Sequence, residues 1–96
     1  MFDFNGIKVV SFFPGRVRLR IEKLETDSGF ADKIKSGLSD IPGIKKLEVK
    51  ESNNSILVVY DKKKLKQPDA SKRLIEELST LFPDADIDKV KGLLGI

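Results

Sequence analysis

The chain contains no cysteine and no histidine, and methionine occurs once, as Met1. Without cysteine, disulfides and thiolate metal sites are both excluded, and a reducing compartment is compatible with the composition. With histidine missing as well, the commonest acid–base side chain and the most readily activated nucleophile are absent together. No enzyme is expected. Long apolar runs are also lacking: a stretch such as Val9–Phe13 falls far short of the roughly 18 to 20 residues that a membrane span requires. Met1–Gly6 carries no basic leader, so the expectation is a cytoplasmic protein with no membrane span.

What is present is an ordinary globular balance. Of 96 residues, 40% are apolar and 34% charged, and both signs are mixed along most of the chain. This length predicts one domain over 1–96, with a core over about 7–83 between a sheet and its helices, since chains of this size hide only about 60 to 65% of their unfolded surface. The net charge of +3 is unevenly spread. Phe4–Ile21 holds Lys8, Arg16, Arg18 and Arg20 with no acid, while Asp84, Asp86 and Asp88 crowd the C-terminal part.

From Ile7 to Ile21 the chain is rich in β-branched and aromatic residues, interrupted by Pro14-Gly15. The pattern predicts one long strand with a bend or bulge at that dipeptide. Alternation puts Ile7, Val9, Phe13, Val17, Leu19 and Ile21 on one face, and Lys8, Val10, Phe12, Arg16, Arg18 and Arg20 on the other. A bulge would shift the register between the halves, yet the three arginines, two residues apart, share a face in any register.

Thr26-Asp27-Ser28 offers N-cap residues for a helix whose apolar positions are Phe30, Ile34, Leu38 and Ile41. Pro42-Gly43 stops it, and a strand follows with Ile44, Leu47 and Val49 inward and Lys46, Glu48 and Lys50 outward. A polar turn at Glu51–Ser55 leads to Ile56–Tyr60, a strand apolar on both faces. After the basic connection Asp61–Lys66, Pro68 opens a helix with a stripe of Leu74, Ile75, Leu78, Leu81 and Phe82. Asp84–Ile96 fits either a short amphipathic helix or a closing strand. The order β, α, β, β, α predicts an α+β, ferredoxin-like βαββαβ sandwich, an antiparallel sheet with two helices on one face and the other face open.

The run Phe13-Pro14-Gly15-Arg16-Val17-Arg18-Leu19-Arg20, the helix positions Ile34, Leu38 and Ile41, the Pro42-Gly43-Ile44 turn and the Val58-Val59-Tyr60-Asp61 strand end together resemble the heavy-metal-associated domain family. Its members are small modules of copper chaperones and of metal-pumping P-type ATPases. The resemblance covers about Phe12 to Phe82 and is to a divergent branch without the metal motif. In family members a Cys-x-x-Cys pair lies between the first strand and first helix; the matching positions here are Asp27 and Phe30. Neither replaces a thiolate, and copper(I) and zinc select sulfur or imidazole ligands. The resemblance therefore implies the fold and a setting in metal homeostasis or transport, but no soft metal and no cofactor.

The candidate binding residues are Phe12, Arg16, Arg18, Arg20 and Lys46. Arginines held on one strand face repel one another, and carboxylate or phosphate groups on a partner relieve that repulsion through bidentate contacts. The alternative is a solvated face whose arginines pair with Glu48 and other acids. A protein partner, or a second copy of the chain, is the expected occupant of the open face. Nucleic acid or another anionic ligand is the other reading, with Phe12, Val10 and Tyr60 as stacking surfaces, although no RNA-recognition consensus is present. Lys62-Lys63-Lys64-Leu65-Lys66 reads as a solvated basic loop. Asp84-x-Asp86-x-Asp88 fails as a calcium loop, having Lys89 where glycine and Gly95 where glutamate are needed, and reads as the acidic start of a last helix. No phosphate-cradling glycine loop supports a small phosphate hydrolase.

Overall fold

The chain reverses at Pro14-Gly15. The computed structural model describes residues 6–83 and 85–95; Met1, Phe4, Asp84 and Ile96 lie outside the described residues. In place of one bent strand there are two, β1 (Ile7–Phe13) and β2 (Arg16–Ile21), paired antiparallel from Ile7 against Ile21 to Phe13 against Arg16. Proline's fixed φ suits the second position of a tight turn, and Gly15 takes the third at φ +84°. A Cβ on Gly15 would stand 3.1 Å from the Tyr60 carbonyl oxygen, so the turn also needs the missing side chain. The register shift between Val9 and Ser11 is a bulge, which adds the right-handed twist that an L-proline–glycine turn does not provide.

A single helical turn, α1 (Lys23–Thr26), precedes α2 (Phe30–Leu38). Asp27 does not cap α2 from its expected position; its Oδ1 accepts the Gly29 N–H at 3.0 Å, and Gly29 is the N-cap. β3 (Ile44–Lys50) shifts register between Ile44 and Lys46, and a 3-10 turn over Glu51–Asn53 leads into β4 (Ser55–Tyr60). The basic connection is itself a helical turn, α3 (Lys62–Leu65), capped by the Asp61 carboxylate, which accepts the N–H groups of Lys63 and Lys64. The long helix α4 (Pro68–Leu81) has proline in its first turn, where a missing N–H costs nothing. The C-terminal element is a helix, α5 (Ile87–Leu94), with Asp86 accepting the Lys89 N–H at 3.3 Å.

The sheet is antiparallel with strand order β1-β2-β4-β3. From β2 to α4 the order is the ferredoxin-like one, and the α+β class stands. The fourth strand, however, comes from the N-terminal side: β1 occupies the edge beside β2 that a C-terminal strand would otherwise close. The C-terminal segment is thereby free to be helical.

Both long helices cover one sheet face. Ile34 and Leu38 of α2, with Leu74 and Leu81 of α4, join Val9, Val17, Ile21, Ile56, Val58 and Tyr60 in one buried cluster that also reaches Leu94 of α5. Between sheet, α4 and α5 lies an apolar cavity of about 60 Å³ lined by Val17, Val58, Leu74, Val90 and Leu93 among others. Among the described residues no buried side-chain nitrogen or oxygen lacks a hydrogen-bond partner.

Ile34 and Leu38 are 1% and 5% exposed, and truncating either to alanine is expected to cost about 2 to 5 kcal/mol. Chemical denaturation checks this; losses under about 0.5 kcal/mol at both sites would mean that α2 does not anchor the core. Gly43 stands at φ +100°, with the position of a Cβ 2.8 Å from the Leu65 backbone nitrogen. Gly43→Ala therefore forces both a left-handed alanine and a backbone clash. A loss above about 1 kcal/mol is expected in the same assay, and a neutral result would show that the contact between this turn and α3 is slack.

Candidate functional site

Pairing fixes which side chains share the uncovered sheet face, because residues directly opposite in an antiparallel ladder project to the same side. Three ranks cross it. The first runs Phe13, Arg16, Val59, Lys46; the second Ser11, Arg18, Leu57, Glu48; the third Lys8, Arg20, Ser55, Lys50. Strands lie about 4.8 Å apart and successive same-face residues about 6 to 7 Å apart, so the cations form a lattice and not a single column. Lys8, Arg16, Arg18, Arg20, Lys46 and Lys50 contribute six positive charges, against one acid, Glu48.

The expected cross-strand pairing of Glu48 with the arginines is not found. Glu48 meets Lys46 on its own strand at 3.5 Å, and among the described residues no ion pair reaches Arg16, Arg18 or Arg20. Leu57, although on the open face, is only 8% exposed, because it sits in the middle rank among long side chains whose aliphatic stems cover it. A shallow depression of about 90 Å³ lies there, lined by Arg16, Arg18, Glu48, Lys50, Ser55 and Leu57.

The aromatic part of the expectation is corrected by the hairpin. A two-residue turn sets Phe13 opposite Arg16 and Phe12 opposite Val17, so Phe13 shares the arginine face and Phe12 the helix-covered side. Alternation through an unbroken strand gives the reverse assignment. Phe12 is 39% and Phe13 65% exposed. Val10 falls at the bulge, and Tyr60 pairs with Ile44 and is buried on the helix side. Burial pushes the Tyr60 phenol up, with a smaller opposing effect from the Gly15 backbone. Among the described residues Phe13, at one margin, is the aromatic side chain left on the open face, which is a thin platform for stacking bases.

The segment where related domains carry their metal ligands is here Asp27-Ser28-Gly29-Phe30. Its chemistry does not fit a soft metal ion. Phe30 is buried, edge-on to Phe82 with ring centroids 5.4 Å apart, and the Lys23 ammonium lies 5.4 Å above its ring. Asp27 is engaged with the Gly29 N–H and, at 3.8 Å, with Lys33. Sulfur and imidazole donors are absent from the whole chain apart from Met1. Among the described residues no cluster of three carboxylates is placed to hold a cation.

At the end of the sheet beside Tyr60, α3 presents Lys62, Lys63 and Lys64 to solvent. The Asp61 carboxyl is held below its ordinary range, first by the Lys64 N–H, against a lesser effect of desolvation, then by the Lys63 N–H and the charges of Lys45 and Lys64. Sequence reasoning saw these lysines as a loop. The signal available was the Asp61 cap two and three residues ahead of Lys63 and Lys64. Asp86 acts as a cap and Asp88 lies in the first turn of α5.

No helix among the described residues is long and apolar enough to cross a membrane. No curated protein and no solved structure matches this chain. The model of heavy metal associated domain 2 matches residues 1–80, through β1 to most of α4 and short of α5. Matched over that span, the chain belongs to the heavy metal associated domain 2 family.

Proposed function

We propose that this chain is a non-catalytic, cytoplasmic interaction module of its family, without a soft-metal site, that docks an acidic protein surface on the open face of its sheet in the setting of metal homeostasis or transport. The observation that carries the reading is the lattice of Lys8, Arg16, Arg18, Arg20, Lys46 and Lys50 around a single acid. Carboxylates arriving from a partner find guanidinium forks at strand spacing, and each contact relieves repulsion between neighbours. A second copy placed face to face would oppose the same six cations to six more. Charge therefore favours a different, acidic partner over self-docking through this face.

A negative outcome is expected for metal. Calorimetric titration with copper(I) or zinc should give no site of about micromolar affinity, because Asp27 and Phe30 supply no soft donor pair. A stoichiometric site in that range overturns the metal-free reading.

Arg16→Gln, Arg18→Gln and Arg20→Gln combined should leave a folded protein, since lost surface attraction and relieved repulsion amount to about 1 kcal/mol or less in balance. Binding should suffer more, as arginines at an interface centre are among the side chains whose loss costs about 2 kcal/mol or more. The check is capture by the immobilised protein of a partner from its own cell extract, with identification and a salt series. Wild type should retain an acidic protein that the triple variant does not. Equal retention by both would reduce the face to a solvated surface, and unfolding of the variant would make the arginines structural.

A further inference from the structure

Among the described residues the exposed large hydrophobic side chains are Phe12 and Phe13, neighbours at the tip of the β1–β2 hairpin. Their register partners, Val17 and Arg16, place them on opposite sides of the sheet. A flat, rigid protein surface meeting this tip covers one ring and leaves the other wet. A fluid medium that closes around the tip buries both.

The same end of the molecule is basic. Gly15 beside the hairpin accepts the Tyr60 N–H at 2.9 Å, and Gly43 accepts the Asp61 N–H at 2.7 Å. These bonds hold the Pro14-Gly15 turn, the Pro42-Gly43 turn and α3 in one rigid rim. Exposed around that rim are Arg16, Lys45, Lys46, Lys62, Lys63, Lys64 and Lys66. The acids there are fewer: Asp61, engaged in capping α3, and Glu48, 3.5 Å from Lys46, with Asp40 before one turn and Asp69 at the start of α4.

We infer that this rim is a peripheral docking surface for an anionic phospholipid bilayer, with Phe12 and Phe13 entering the interface and the surrounding lysines and Arg16 meeting lipid phosphates. Aromatic side chains settle at the headgroup level, and polybasic clusters add attraction to anionic lipid that neither supplies alone. Lysine stems are long enough to keep ammonium groups at the phosphates while the hairpin tip lies deeper. The surface is distinct from the middle and far ranks of the open face, where Arg18 and Arg20 stand.

The test is flotation of the purified full chain with vesicles of phosphatidylcholine alone and with about one third phosphatidylserine added. Wild type should float with the anionic vesicles and not with the neutral ones, and high salt should release it. Phe12→Ser with Phe13→Ser, Phe13→Ser alone, and the triple Lys62→Gln, Lys63→Gln, Lys64→Gln should each lower the bound fraction about 10-fold or more. All these positions are exposed, and circular dichroism establishes that each variant is folded. Arg18→Gln with Arg20→Gln should float like wild type. No flotation of wild type at low salt overturns the inference. So does undiminished flotation of both phenylalanine variants, which would mean electrostatic adsorption without insertion, as expected of a site for a soluble acidic partner.

Discussion

A two-residue reversal between Phe13 and Arg16 governs the layout of this domain. Gly15 is held at φ +84°, its carbonyl oxygen accepts the Tyr60 N–H, and a Cβ there would crowd the Tyr60 carbonyl oxygen at 3.1 Å. The turn is thus tied to the end of β4, and β2 is fixed between β1 and β4. Once β1 occupies that edge, no strand is needed from the C-terminal segment. Ile87, Val90, Leu93 and Leu94 instead close the apolar cavity over Val17 and Val58 as one side of a helix. The same reversal decides which phenylalanine stands among the arginines.

Sequence patterning carried far where a side-chain period dominates. Ile34 and Leu38 in α2, the stripe of Leu74 and Leu81 in α4, and the alternation of β3 were all legible because burial selects them at helical or strand spacing. Arg16, Arg18 and Arg20 were legible for a simpler reason: a spacing of two survives any slip of register. The hairpin was not. An L-proline–glycine pair lacks the twist of the turns that usually join hairpin strands, and the compensating bulge at Val10 leaves no mark in an already apolar run. Phe12 and Phe13, which lie between the bulge and the turn, were therefore inverted, whereas Ile7, Lys8 and Val9, beyond the bulge, keep the faces that alternation gives them. Tyr60 failed differently: in a strand apolar on both sides, pattern alone does not say which side is covered.

The segment between β2 and α2 is occupied by packing and turn contacts. A buried ring at Phe30, packed edge-on against Phe82, ties the start of α2 to the end of α4. A donor pair would have to be partly open to exchange an ion, whereas this position contributes to holding the two helices together. Asp27 serves the same local purpose by fixing the Gly29 turn. At this segment the side chains of Asp27 and Phe30 serve the turn and the packing of the two helices.

The two faces of the sheet divide the energetic work. On the helix side, Val17 and Ile21 alternate with the arginines and bury fully, so β2 is anchored by one half of its side chains. The other half is released from that duty, and six cations on a small area are tolerated because the high dielectric of water holds the repulsion of a close exposed pair to about 1 kcal/mol. The division is incomplete at Leu57, which is shielded from water by its charged neighbours and not by a helix. Attraction of an acidic surface to this face would therefore act on side chains already partly ordered by packing. Arg18, half-buried opposite Leu57, loses less rotamer freedom on binding than a fully solvated arginine would. On the proposed reading, Arg18 would therefore receive an incoming carboxylate at a lower entropic cost than a fully solvated arginine.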